Sequence, residues 1–354
     1  MFSLFNITSN SPLIISGPCS AETREQTLLT AEKLAESGKV HLFRAGIWKP
    51  RTKPGMFEGV GEPGLEWLKE VKAKTGLPTT IEVANASHVE LALKYDVDVI
   101  WIGARTTVNP FLVQEIAKSI EGSNIPVLIK NPINPDIDLW IGAVERIQQS
   151  GAREIGLIHR GFSTYAPSSY RNLPMWQIPL DMKRRFPLIP MICDPSHICG
   201  NRTLLAEVAQ KSIDLDFSGL MIESHPDPDN AWSDPAQQIL PQNLPSFLTQ
   251  LIWRTSASHA QELSQDFYTL RNQIDQIDDE LIDLLAHRML LAQKMGRLKK
   301  DFGVTILQTE RWNTILERIS ERATNLGLSK EFIKRYFEAV HLESINHQNK
   351  VMNG

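Results

Sequence analysis

Eight short apolar runs, at 13–17, 41–45, 78–83, 97–102, 126–130, 154–159, 190–194 and 219–224, punctuate the chain. Between them lie stretches such as 23–37, 64–75, 110–121 and 203–212, whose apolar residues recur at helical spacing. Strict alternation of strand and helix builds a parallel sheet covered by helices. Eight such units in about 250 residues fit a closed (β/α)8 barrel. An open doubly wound sheet is the alternative, but the Gly-x-Gly-x-x-Gly turn that would favour it after the first strand is missing.

The alternation stops near Leu251. Residues 254–262 read as a linker between a barrel at 1–253 and an all-α segment at 263–354. From 260 to 351 there is neither β-type alternation nor proline. Three helices suit the segment: a long one from about 260 to 300, a second at 309–325 closed by Gly327, and a third after Ser329 as N-cap. The expected architecture is an α/β TIM barrel followed by an all-α three-helix domain.

The net charge of −4 gives no reason to expect nucleic acid or an anionic membrane as partner. No apolar run approaches the roughly 20 residues a membrane-spanning helix needs. The start, Met1-Phe2-Ser3-Leu4-Phe5, lacks the basic region and cleavage site of a signal peptide. Three cysteines without a framework spacing argue against disulfides and for a reducing compartment, so a cytoplasmic location is expected.

In a barrel, chemistry sits where strands end and loops begin. The second run leads into Arg44-Ala45-Gly46-Ile47-Trp48-Lys49-Pro50-Arg51-Thr52-Lys53-Pro54-Gly55, with four cations and no acid. Prolines and glycines keep this charge in a loop, and a guanidinium there offers a phosphate a bidentate fork. Arg44, Arg105, Lys130 and Arg160 stand at the ends of strands two, four, five and six. Converging on one mouth they would repel one another unless an anion lay among them, so a phosphorylated, carboxylated substrate is expected. Cys19, His197, Glu223 and Asp234 come from strands one, seven and eight and their loops, which become neighbours on closure. A thiolate, an imidazole and two carboxylates form a candidate divalent transition-metal site. Cys193 and Cys199 lack such company and read as core residues.

Five motifs then occur in order: Ser16-Gly17-Pro18-Cys19-Ser20-Ala21-Glu22, Lys49-Pro50-Arg51-Thr52, Ile102-Gly103-Ala104-Arg105, Asp194-Pro195-Ser196-His197 and Glu223-Ser224-His225-Pro226. Together, over about residues 10–250, the chain resembles the deoxy-arabino-heptulosonate phosphate (DAHP) synthases of the shorter microbial type. That resemblance implies condensation of phosphoenolpyruvate with erythrose 4-phosphate, with a divalent metal such as manganese. It implies Cys19, His197, Glu223 and Asp234 as metal ligands and Arg44, Lys49, Arg105, Lys130 and Arg160 as phosphoenolpyruvate contacts. Arg51, Thr52 and Asp194 would meet the erythrose phosphate, and Lys49 would also donate a proton to the new hydroxyl. His159 departs from the pattern, standing where many relatives have a glutamate. With about a dozen residues before the first strand, no N-terminal regulatory domain is expected. The nearest rival is the octulosonate phosphate synthase, whose typical Lys-Ala-Asn-Arg loop differs from Lys49-Pro50-Arg51-Thr52.

In the long helix, Arg271, Ile274, Asp278, Leu281, Leu285, Arg288, Ala292, Met295 and Lys299 follow steps of three and four and form one seam. Buried cations need anions, and Asp278 is the seam's only acid, so a bound dianion is expected. At the helical rise Arg288 and Lys299 are roughly 16 Å apart and can share a ligand, while Arg271 lies roughly 42 Å from Lys299. Arg271 could serve the same pocket only from a second, antiparallel chain.

Residues 263–350 resemble the all-helical chorismate mutases through Leu270-Arg271-x-x-Ile274-Asp275, Leu284-Leu285-Ala286-His287-Arg288, Gly296-x-x-Lys299, Glu310-Arg311, and Ser344 followed by Gln348. The resemblance implies a pocket for chorismate lined by Arg271 of a partner subunit with Arg288, Lys299, Arg311, Ser344 and Gln348. Lys299 and Gln348 would stabilise charge on the ether oxygen during rearrangement to prephenate. Trp312 and Gln308 replace acids common in relatives. The combined expectation is a bifunctional homodimer, its synthase inhibited by prephenate through the helical domain. The alternative is a non-catalytic helical module for dimerisation and effector binding.

Overall fold

In a computed structural model, residues 12–50, 54–165, 167–254 and 265–353 are described. The strands are β1 (Leu13–Gly17), β2 (Leu42–Arg44), β3 (Thr79–Val83), β4 (Val99–Ile102), β5 (Val127–Lys130), β6 (Ile155–His159), β7 (Met191–Cys193) and β8 (Gly219–Glu223). They pair in parallel in chain order, and β8 returns to β1 with Leu13 opposite Gly219 and Gly17 opposite Glu223. The eight apolar runs are these eight strands, shortened by a residue or two at some ends. Around them lie α1 (Arg24–Glu36), α2 (Pro63–Thr75), α3 (Ala86–Lys94), α4 (Ala104–Thr107), α5 (Pro110–Ser119), α6 (Ile137–Gln149) and α7 (Gln177–Arg185). Then follow α8 (Pro195–Cys199), α9 (Leu205–Asp214) and α10 (Leu244–Thr249).

The strands are apolar in unbroken runs because both of their faces are buried. Ile15, Leu42, Val99, Trp101, Leu128, Ile158, Ile192 and Met221 fill the barrel's interior. Their neighbours in sequence pack outward against the helices, as Phe43, Ile100, Ile129 and Leu157 do. Side chains on a strand alternate between faces, so one run supplies both layers. At the end of β1, Gly17 has φ +149°, and a Cβ there would lie 2.0 Å from the Arg44 carbonyl oxygen. Only glycine lets the backbone of β1 approach the end of β2 this closely.

His159, at the end of β6, faces outward. Its ring packs against Phe162, Trp176 and Phe217, at centroid distances of 5.8, 5.2 and 6.1 Å. It is fully buried and neither ring nitrogen has a well-aligned hydrogen bond. Burial, aided by the Arg160 charge, pushes its pKa down to about 3.

The chain divides into two compact units, 1–259 and 260–354. The second contains α11 (Gln265–Asp301), α12 (Thr309–Asn325) and α13 (Lys330–Asn353). The later part of α11 packs on α13: Gly296 meets the Gln348 backbone so closely that a Cβ would lie 3.0 Å from its Cα. Earlier in α11 the expected burial of the seam does not occur within one chain. Ile274 and Leu281 of the seam are 57% and 44% exposed, and Leu270 and Ile277 beside it are 59% and 55% exposed. The cause is length: α11 has 37 residues and α13 has 24, so α11 is about 20 Å longer at the helical rise. No described helix is long and apolar enough to cross a membrane.

The His159 environment makes a pH prediction. Below about 6.5 the unfolded imidazole binds a proton that the folded one refuses until about 3. Barrel stability should therefore rise with pH through this window, by about 1.4 kcal/mol per pH unit from this group. His159→Leu should flatten that slope, measured as the barrel's denaturation midpoint between pH 4 and 7; an unchanged slope would disprove the assignment.

Candidate active site

The strand ends converge on a cleft of about 310 Å³ lined by Lys49, Glu82, Arg105, Arg160, Arg171, His197 and Asp234. Arg44, at the end of β2, is buried with its guanidinium carbon 5.1 Å from the Trp101 ring centroid. Its Nη2 is 3.0 Å from Glu223 Oε1, while Nε and Nη1 have no hydrogen-bond partner among the described residues. Lys130, at the end of β5, donates to Asp194 Oδ2 at 2.8 Å. Burial lowers the Lys130 pKa against the pull of Asp194. The cations expected from the sequence thus do converge, but internal acids already accompany two of them.

Asp194 is the N-cap of α8, after β7. Its Oδ1 accepts from the backbone N–H of His197 at 3.1 Å and its carboxylate holds His197 Nδ1. It is fully enclosed, and its oxygens are engaged by Lys130 and His197. Burial opposes ionisation, yet its contacts with His197 Nδ1–H and Lys130 hold its pKa well below the carboxylate range. Because an ionised carboxylate can only accept, Nδ1 carries the proton and the lone pair is left on Nε2, 3.7 Å from Glu223 Oε1.

Cys19, Glu223 and Asp234 form a cluster in which one donor atom of each lies within 4.8 Å of the others. Cys19 Sγ is 3.2 Å from Asp234 Oδ2. His197, the fourth expected ligand, borders this cluster through Glu223 without joining it. Burial, then the Glu223 charge, pushes the Cys19 thiol up to about 12. Arg171, His197 and Lys49 hold Asp234 low despite burial. Glu223 Oε1 is buried and ion-paired but not hydrogen-bonded, whereas Oε2 accepts from Gln237 Nε2 at 2.6 Å. An under-satisfied carboxylate oxygen beside a thiol, a second carboxylate and an imidazole lone pair fits a divalent transition metal.

Lys49 joins the two halves of the site, donating to the Cys19 carbonyl at 2.8 Å with Nζ 3.1 Å from its Sγ. Arg160 donates through Nη1 to Asn172 Oδ1 at 2.7 Å, and Asn172 Nδ2 donates to the His197 carbonyl at 2.7 Å. Exposed Arg105 lines the cleft. Arg51 and Thr52 lie outside the described residues. Cys193 and Cys199 are buried core residues, as expected. His159 faces outward against Phe162, Trp176 and Phe217, away from the cleft. Sequence reasoning missed Arg171 and Asn172. Arg171 donates to Asp234 Oδ1 at 2.8 Å and to Gln237 Oε1 at 2.9 Å. Both sit in an irregular loop, where no periodicity marks a residue's direction.

In the helical unit the structure gathers Arg288, Lys299, Ser344 and Gln348. Arg288 Nη1 donates to Ser344 Oγ and, at 3.3 Å, to the Val340 carbonyl. Lys299 is buried, and its Nζ donates to the Ile306 carbonyl. Gln348 Nε2 donates to the Ser344 carbonyl at 3.3 Å, leaving Oε1 buried without a partner. Trp312 stacks on His341 at 3.9 Å. Arg311 is exposed, as is Arg271, whose guanidinium lies 4.3 Å from the Phe267 ring centroid.

Residues 6–260, more than half of the chain, match the DAHP synthetase I family, and the chain belongs to that family. Residues 270–349 match chorismate mutase type II, so the helical unit is a chorismate mutase domain. A phospho-2-dehydro-3-deoxyheptonate aldolase of Thermotoga maritima is 35% identical over 226 residues, 64% of this chain and 64% of that protein. This chain therefore spans less than two thirds of that relative's length. A 2-dehydro-3-deoxyphosphooctonate aldolase of Syntrophotalea carbinolica is 29% identical over 65% of this chain and 86% of its own. The crystal structure of the Thermotoga maritima DAHP synthase superposes with a TM-score of 0.61 at 33% identity, covering 67% of each chain.

The Lys130–Asp194 pair is buried, so removing one member strands a charge. Asp194→Ala should destabilise the barrel by about 3–5 kcal/mol, read by chemical denaturation. A loss below 1 kcal/mol would show that the pair is not the support that its burial implies.

Proposed function

We propose that the barrel condenses phosphoenolpyruvate with erythrose 4-phosphate and that the helical domain rearranges chorismate to prephenate, making a bifunctional shikimate-pathway enzyme. The observation that carries the first activity is the pair of unpartnered Arg44 nitrogens beside Lys130 and the Cys19–Glu223–Asp234 cluster. Arg44, Lys130, Arg160 and Arg105 hold the phosphate and carboxylate of phosphoenolpyruvate. Arg51 and Thr52 take the sugar phosphate. Asp194 acts by orienting Lys130 and His197. Cys19, His197, Glu223 and Asp234 hold a divalent metal such as manganese, which would supply Lewis-acid polarisation of the aldehyde. Lys49 stands ready to give its proton to the oxygen that becomes a hydroxyl. The Lys49-Pro50-Arg51-Thr52 loop favours the four-carbon sugar over arabinose 5-phosphate.

Loss of phosphoenolpyruvate absorbance in the presence of erythrose 4-phosphate tests this directly, with and without chelator. Faster loss with arabinose 5-phosphate would favour the octulosonate reading. Cys19→Ala should lose the bound divalent metal and at least about 100-fold of condensation rate, while chorismate turnover stays within twofold. Retention of both metal and rate would end the ligand assignment.

In the helical domain, Arg288, Lys299 and Arg311 bind the two carboxylates of chorismate, and Lys299 with Gln348 faces the ether oxygen. A second copy covers the exposed seam at Ile274 and Leu281, with Leu270 and Ile277 beside it, and brings Arg271 to the pocket. A homodimer of this kind has a mixing signature. Arg271→Ala and Arg288→Ala chains should each be inactive as mutases, yet equal mixtures should recover about a quarter of wild-type activity, since half the dimers regain one of two sites. No recovery after subunit exchange would exclude the shared site.

Prephenate made in this pocket also inhibits the barrel, through a differential affinity of about 1–3 kcal/mol between two arrangements of the assembly. Inhibition of wild-type condensation by prephenate, abolished in Arg288→Ala, is the expected result. Indifference of the synthase at saturating prephenate would refute the coupling.

A further inference from the structure

Two buried side-chain atoms in the helical unit, Gln348 Oε1 and His341 Nε2, have no hydrogen-bond partner among the described residues. Gln348 belongs to the pocket already described. His341 lies one turn before Ser344 on α13, so both are on one face. A buried polar atom without a partner is costly and marks a place where a ligand atom can complete the bond. Arg288 is taken by Ser344 and the Val340 carbonyl, Ser344 Oγ also donates to the Val340 carbonyl at 2.7 Å, and Lys299 is taken by the Ile306 carbonyl. The imidazole itself is fixed in plane by its stack on Trp312, 11° from parallel.

We propose that His341, held by Trp312, is a specificity-determining contact of the chorismate pocket and that its Nε2 bonds the ring hydroxyl of the substrate. This rests on the mutase reading of the helical domain. Chorismate offers two carboxylates, an ether oxygen and one hydroxyl. The carboxylates go to the guanidinium and ammonium groups, whose charge they match. Burial, then the charges of Arg288 and Lys299, lowers the His341 pKa, so the ring is neutral at neutral pH. A neutral imidazole nitrogen pairs well with a hydroxyl, which donates to one tautomer and accepts from the other. Trp312, an indole where an acid could have gripped the hydroxyl, supplies orientation and leaves the polar contact to His341.

The test compares chorismate with its analogue lacking the ring hydroxyl, using the full chain. His341→Leu should lower kcat/KM for chorismate about tenfold, the worth of one neutral hydrogen bond, and leave the analogue within twofold. His341→Gln should recover part of the loss on chorismate alone. Equal losses on both substrates, or none on either, would overturn the proposal, because a packing role does not read the hydroxyl. If His341→Leu loses helix by circular dichroism, the ratio of the two substrates in His341→Gln decides by the same criterion. A wild-type chain that does not rearrange chorismate would overturn the mutase reading and this contact with it.

Discussion

Charge that cannot reach water governs the barrel's mouth. Arg44, Lys130, Asp194 and Glu223 are each at most 4% exposed. Ions so buried persist only where neighbours replace their hydration. Lys130 is answered by Asp194, and Arg44 by Glu223 at 3.0 Å and by the face of Trp101. The answer is incomplete: two Arg44 nitrogens and one Glu223 oxygen keep unused capacity. The first suits an anion and the second a cation, and they are parts of one ion pair. Under the proposed reaction, a site built this way would receive an anionic substrate beside a metal without reorganising its own charges.

The loops serve that arrangement. Asp194 caps α8, and the same carboxylate orients His197 and steadies Lys130. Asn172 ties Arg160 to the His197 carbonyl, and Gln237 links Arg171 to Glu223. Gly17 lets β1 approach the Arg44 carbonyl, which brings Cys19 beside Lys49. Backbone fit and charge placement are therefore one problem at this end of the barrel.

The helical domain meets the same constraint with fewer internal acids. Arg288 and Lys299 lean on hydroxyl and carbonyl oxygens, which leave their formal charges unbalanced. Its apolar seam is equally unfinished within one chain, as the exposure of Ile274 and Leu281 records. The unmatched charge and the open seam are what the proposed dianion and partner helix would complete.

The sequence by itself determined the eight strands and the three terminal helices, because hydrophobic periodicity is a local property of the chain. It also placed Arg44, Lys130 and Glu223 at strand ends, since a strand's end fixes which mouth its last residue faces. Only the tertiary structure decided which acid accompanies which base, that Asp194 is enclosed between Lys130 and His197, and that His159 turns outward into an aromatic layer. The recruitment of Arg171, Asn172 and the stacked Trp312–His341 pair was equally invisible beforehand. Those outcomes depend on loops without periodicity, or on contacts between residues far apart in the chain, whose geometry exists only once the barrel has closed and the helices have packed.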